Sequence, residues 1–225
     1  MVAVLWVLVT AVPVLLLRWL HPLTSAFMLE AGLEARLAGQ RGYHTDYQWA
    51  SLEQISPNAA IAVIASEDQQ FPFHAGFDLD SIREAVRASE RGRRLRGAST
   101  ISQQVAKNLF LWPGHSFVRK GFEAYFTVLI ETLWPKERIL EMYLNVAQFG
   151  DGVYGVQAAA HHFYRKPASR LTAAEAAVLA AVLPNPLRMH PDRPSAYVIA
   201  RRDWILGQMR ELGGAGYLRS VERDK

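Results

Sequence analysis

From Met1 to Leu17 the chain carries no charged side chain, and only Thr10 and Pro13 fall outside the apolar set. A helix over this stretch rises about 25 Å, short of the roughly 30 Å of a bilayer's hydrocarbon core. Arg18 need not end the run, because its stem can snorkel toward head groups. Trp19 to Leu23 then carry it to the required length, with Trp19 as an interfacial anchor. The run shows no polar face of the kind a core helix presents to water. It also lacks the basic start and well-placed small-residue cleavage site of a secretory signal peptide. The expectation is a single transmembrane anchor over residues 1–23. No Lys or Arg precedes it and Arg18 follows it, so charge alone leaves the orientation open.

The remaining residues are enough for one domain, and half of the 225-residue chain is apolar, so a packed core is feasible. There is no cysteine, which excludes disulfide scaffolds, Cys-ligated zinc and thiol nucleophiles. The net charge is +4, but it is uneven. Between Arg83 and Lys107 stand seven basic residues (Arg83, Arg87, Arg91, Arg93, Arg94, Arg96, Lys107) against Glu84 and Glu90. An anionic partner suits that stretch, whether phosphate, lipid head group or nucleic acid.

Local signals predict helices throughout. Ser56-Pro57 reads as an N-cap followed by proline at the first helical position, opening an apolar helix toward Ser66. Residues Asp78 to Asp80 suggest a cap for a helix to about Glu90, with a mobile basic exit from Arg91. Thr100 to Gln103 fit a capping box, as do Thr172 to Glu175, and Ser116 starts a long helix that Trp134-Pro135 breaks. Lys136 to Asn145 form the next one, and a last helix contains Trp204. No strand-like alternation of useful length and no internal repeat occurs. The fold class expected is all-α.

Three segments offer chemistry. Glu67-Asp68 closes the first domain helix and runs into Phe71, Phe73, His74 and Phe77; burial among aromatics would suit a general acid or base, while the plain alternative is decoration of a helix end. Gly97 to Asn108 bring a small-residue loop into a helix N-terminus, whose free N–H groups attract anions. There Thr100, Gln103 or Gln104, and Lys107 recur at helical spacing, a stripe that suits a diphosphate or a solvated face, without the spacing of a nucleotide-binding P-loop. Arg119 and Glu123 stand four apart and, taken alone, read as an ordinary intrahelical ion pair. Ile139 to Asn145, followed by a glycine-rich turn, reads as structural. His161 and His162 are adjacent and make no metal pair.

In order and spacing these segments resemble the peptidoglycan glycosyltransferases, glycosyltransferase family 51, and its monofunctional biosynthetic members in particular. The matching blocks are Glu67, Asp68, Phe71, His74 and Gly76; Gly97 to Asn108; Arg119, Lys120 and Glu123; and Ile139 to Asn145. The likeness runs from about Ser51 to Pro186. It implies a lysozyme-like glycosyltransferase domain over residues 51–212, behind the anchor and a juxtamembrane linker at 24–50, with a flexible tail at 213–225. The implied reaction polymerises lipid II with inversion and release of undecaprenyl diphosphate. By resemblance Glu67 is the general base, and Glu123, counted with it as catalytic, positions the departing diphosphate together with Arg119 and Lys120. Asp68, Ser99, Thr100, Gln103, Gln104, Lys107, Asn108, Arg119 and Lys120 are implied to bind substrate. No cofactor is required, although Glu123 could ligate a divalent cation, magnesium or manganese. Implied partners are lipid II, the growing glycan, the bilayer and cell-wall synthesis or division proteins, with no nucleic acid. The implied place is the bacterial inner membrane, single-pass, with the domain on the periplasmic side.

Two positions depart from the family pattern: His115, where some members carry a further Arg, and Arg165, where Gly is usual. No Ser-x-x-Lys occurs, so these residues hold no penicillin-binding transpeptidase. Competing readings are a lytic transglycosylase or lysozyme-like enzyme, a membrane-tethered module that binds anionic lipid, and an inactive scaffold. The Ser99 to Lys107 stripe with Arg119 argues against glycan cleavage, which needs no diphosphate clamp.

Overall fold

A computed structural model describes residues 2–79, 83, 99–114 and 116–222. Ten helices occur among them: α1 (Val2–Leu16), α2 (Ala26–Leu37), α3 (Pro57–Glu67), α4 (Ile101–Phe110), α5 (Phe117–Leu133), α6 (Lys136–Val146), α7 (Val156–Tyr164), α8 (Ala173–Val182), α9 (Ala196–Glu211) and α10 (Arg219–Glu222). Three strands of two or three residues, β1 (Asp46–Tyr47), β2 (Gln148–Gly150) and β3 (Val153–Tyr154), form one small sheet in the order β1-β3-β2. β1 runs parallel to β3 and β2 antiparallel to it, with a bulge between Gln148 and Gly150. The helical expectation holds, and the sheet is too short to have left an alternating pattern. Of the expected helix from Asp78 to Glu90 only Asp78, Leu79 and Arg83 are among the described residues, and the basic run from Arg87 to Arg96 and His115 lie outside them.

α3 is the central element. Ala59 through Ala65 are all buried, so the helix is apolar on every side and is wrapped by α8, α9 and the 3₁₀ turn at Gly214–Leu218. Ser56 caps it as expected and ties it to α8's approach, its hydroxyl donating to Leu171 O at 2.8 Å. A second layer packs α4 between α5 and α6. Asn145, at the end of α6, accepts from Ala50 N at 2.9 Å and donates to Ala50 O at 2.8 Å, pinning the incoming chain. Gly155 must be glycine here: its φ is +82°, and a Cβ would meet Asn145 O at 2.6 Å.

The N-terminal run differs from expectation. α1 stops at Leu16, not Leu23, a length of 15 residues, and no helix among the described residues is long and apolar enough to cross a membrane. Pro22 disfavours helix at the residue before it, and Arg138 captures the carbonyls of Leu17, at 3.0 Å, and Leu20, at 2.5 Å. Trp134 Nε1 donates to Val14 O and Arg18 to Leu133 O, each at 2.7 Å, while Thr10 and Tyr125 share a 2.7 Å hydroxyl bond. α1 is thus docked on α5, with most of its other side chains exposed. Residues 24–50, expected to link, hold α2, which Ser25 caps and which packs on α4. The end of the chain, expected to fray from Gly213, folds back instead: Val221 is buried and the Tyr217 hydroxyl donates to Gln69 O at 2.6 Å.

Candidate active site

The site grows from the C-terminus of α3. Asp68 leaves the helix and is buried against the start of α4, its Oδ2 accepting from Ile101 N at 2.9 Å. A carboxylate there satisfies an otherwise orphaned N–H and complements the helix dipole. His74 Nδ1 accepts from Gly76 N at 3.1 Å, so its proton sits on Nε2 and is donated to Asp68, at 2.9 and 3.0 Å from the two oxygens. Thr100 donates to Gly76 O at 2.6 Å and forms its capping box with Gln103. Gly76 has φ +85°, and a Cβ there would lie 2.7 Å from Thr127 Cγ2. Beneath the turn, buried Lys136 donates to His74 O at 2.5 Å and to Glu131 at 2.9 Å, and Ser102 donates to the same Glu131 oxygen. The whole Phe71–Phe77 turn is therefore clamped between α4, α5 and α6.

Glu67 itself is only partly buried and lines a cleft of about 240 Å³ together with Asp68, Gln69, Gln70, Ser99 and Trp204. Its Oε1 accepts from Ser66 Oγ at 3.2 Å and its Oε2 from Gln104 Nε2 at 2.9 Å. The other end of that amide accepts from the Tyr143 hydroxyl at 3.2 Å. Tyr143 is fully buried; burial first, then the carboxylates of Glu67 and Asp68, push its hydroxyl well above the ordinary value of 10.0. It stays a donor and fixes which way the Gln104 amide faces. In the sequence Tyr143 falls in a block that reads as structural, because nothing local marks a tyrosine that reaches a glutamine 39 residues away.

Three residues beyond Gln104, Lys107 is largely buried, its ammonium 5.5 Å from the Phe27 ring centre of α2. Burial lowers its pKa from 10.5; Glu123 and Glu67 oppose that, while Arg119 and Lys120 reinforce it. Acidic side chains from both segments, Glu67 and Glu123, thus act on the Lys107 ammonium. Arg119 and Glu123 meet at 3.0 Å with both side chains buried, and Lys120 pairs with the other Glu123 oxygen while half-exposed. This is more than a surface helix pair: buried charges persist only when mutually compensated. Ser99 is exposed at the cleft. Thr100 lines the cleft but is buried, its hydroxyl donating to Gly76 O and accepting from Gln103 N; Gln103 is buried in the same cap, and Asn108 is buried and does not line the cleft. Of the two glutamines left open by spacing, Gln104 faces Glu67.

A helical domain with an acid at a helix end, beside a cluster of compensated cations, is a setting suited to acid–base chemistry on an anionic substrate. The chain belongs to the transglycosylase family, whose model matches residues 34–210. It is 58% identical over 207 residues to a biosynthetic peptidoglycan transglycosylase of Xanthomonas campestris pv. campestris (strain B100), covering 92% of this chain and 84% of that one. A protein of the same name from Pectobacterium carotovorum subsp. carotovorum (strain PC1) is 53% identical over 208 residues, covering 92% and 85%. One from Klebsiella oxytoca is 57% identical over 197 residues, covering 87% and 81%.

Proposed function

We propose that this enzyme polymerises lipid II into β-1,4-linked glycan strands, releasing undecaprenyl diphosphate from the growing chain. The observation that carries the reading is the single helix α4, which holds Glu67 through Gln104 and presents Lys107 one turn further on. Glu67 takes the proton from the acceptor's 4-hydroxyl as that oxygen bonds to the donor's anomeric carbon. The bond from that carbon to the diphosphate breaks with inversion, and the leaving oxygen takes the electron pair. Lys107, Arg119 and Lys120 meet the charge that develops there, and a preorganised cation stabilises it most in the transition state. Asp68 and Glu123 position: the first holds the turn on α4, the second holds Arg119 and Lys120 in register.

Both oxygens of Glu123 accept from Arg119 and Lys120, so a divalent cation there would have to share the carboxylate with two cationic side chains. Among the described residues no three His, Asp or Glu side chains converge as a cation site. The two basic side chains supply the positive charge that a metal would bring.

The reading also puts the enzyme on the outer face of a bacterial inner membrane, with the apolar N-terminal run embedded as a single anchor. Exposed Leu5, Trp6, Leu8, Trp19, Leu20 and Leu23 support it, since such a surface is costly in water. Other components of wall synthesis or division are its expected partners there.

The test is incubation with labelled lipid II and measurement of glycan length with and without muramidase. The expected product is a muramidase-sensitive polymer; cleavage of preformed glycan without polymerisation would overturn the reading. Glu67→Gln is expected to lower turnover by about 10²–10⁴-fold, the range for losing a general base.

A further inference from the structure

Trp204 of α9 has no part in the chemistry above, yet it lines the same cleft as Glu67 and is 44% exposed. Its neighbours Ile205 and Met209 are buried and seat the helix, so exposure of the indole is not a consequence of a loose element. The ring is fixed from behind. The Arg201 guanidinium lies 4.1 Å from its centre and donates to Ser66 O at 3.1 Å. Ser66 is the residue before Glu67 and donates to its carboxylate. One turn along from Trp204, Gln208 accepts from Gln69 Nε2 at 2.7 Å, a second tie to the segment that follows Asp68. Arg201 covers part of the ring without itself lining the cleft, and Trp204 lines it.

A rigid aromatic plate, held at a set distance from a general base and surrounded by polar groups, matches the needs of a pyranose. One face of a hexosamine ring is lined by C–H groups and stacks on an indole, while its hydroxyls need partners such as Gln70 and Ser99 at the cleft wall. We infer that Trp204 is the stacking platform of a sugar subsite, and that it orients the acceptor's hexosamine so that its hydroxyl faces Glu67. The inference rests on the proposed polymerase reading and names the residue that holds one of its two substrates. A cation over one face of the indole leaves the other for an uncharged ligand, which distinguishes this subsite from the cationic cluster at Lys107.

The experiment uses the full chain in detergent with labelled lipid II. Trp204→Ala is expected to raise KM by about 3–10-fold, the scale of removing one aromatic stacking partner, with a smaller change in kcat. Trp204→Tyr is expected to recover most of the loss because a flat ring remains. Trp204→Leu keeps apolar bulk without the plate and is expected not to recover it. A second readout needs no turnover: saturation-transfer NMR with a β-1,4-linked N-acetylglucosamine tetrasaccharide, expected to show strong transfer from the unmodified chain and little from Trp204→Ala. Polymer formation with an unchanged KM in Trp204→Ala, or equal rescue by Leu and Tyr, would overturn the subsite alone. Saccharide binding that disappears in Trp204→Ala, in a protein that makes no polymer, would keep the subsite and sink the polymerase reading.

Discussion

Lys107 shows how much a side chain's chemistry depends on where the fold puts it. Burial holds its pKa below 10.5, so the ammonium is lost at lower pH than from an exposed lysine. If the charge is needed for the leaving diphosphate, kcat should fall on the alkaline side before 10.5, and Lys107→Arg should abolish that limb while restoring activity only in part. Lys107→Ala should lower kcat by about 10²-fold or more with a smaller change in KM. The stability sign is opposite. Between the lowered folded value and 10.5 the unfolded chain binds the proton and the folded chain does not, so this residue adds stability as pH rises through that window. Tyr143 acts more quietly. Tyr143→Phe frees the Gln104 amide to turn, and one such hydrogen bond is worth about 0.5–1.5 kcal/mol, so kcat should drop roughly 2–10-fold. In a double-mutant cycle with Gln104→Ala the two losses should not add; additive losses would mean that Tyr143 acts elsewhere.

At the scale of elements, α7 ends on a residue that is poorly suited to its place. Arg165 has φ 57° and ψ 36°, the left-handed conformation, and its N–H bonds back to Ala160 O and His161 O as a helix terminator. The sequence departure noted at this position is thus a backbone matter: glycine adopts the conformation freely and arginine does not. Arg165→Gly should stabilise the domain by about 0.5–1 kcal/mol after the extra entropy of an unfolded glycine, or roughly 1–4 °C in thermal melting, with kinetics unchanged. A lower melting temperature would mean that the arginine side chain contributes more than its backbone costs. Helix starts were the most legible elements. The boxes at Thr100 with Gln103 and Thr172 with Glu175, and Pro57 after Ser56, form as read because each is settled within four residues. Helix ends were harder, as with α1 and the chain beyond Gly213, where long-range partners decide.

For the whole molecule, the way α1 is fastened matters most. Arg138 stacks over Trp49 at 5.0 Å while its guanidinium holds two carbonyls at the end of α1. Arg138→Ala should loosen that junction and leave the catalytic layers folded. Hydrogen bonds to a charged group are worth about 1.5–3 kcal/mol, so trypsin should cut after Arg18 about 10-fold faster or more under native conditions. Cutting at the wild-type rate would show that Trp134 and Tyr125 suffice to hold the helix. The order of residues was enough to show that the chain is helical, where several of its helices begin, and which segments carry acid, amide and base, since those follow from spacing and caps within a few residues. Folding in three dimensions was needed to place Gln104 rather than Gln103 against Glu67 and to bring Asp68 to the start of α4. Those pairings join positions dozens of residues apart, and burial then sets their charge and direction; neither leaves a local mark in the chain.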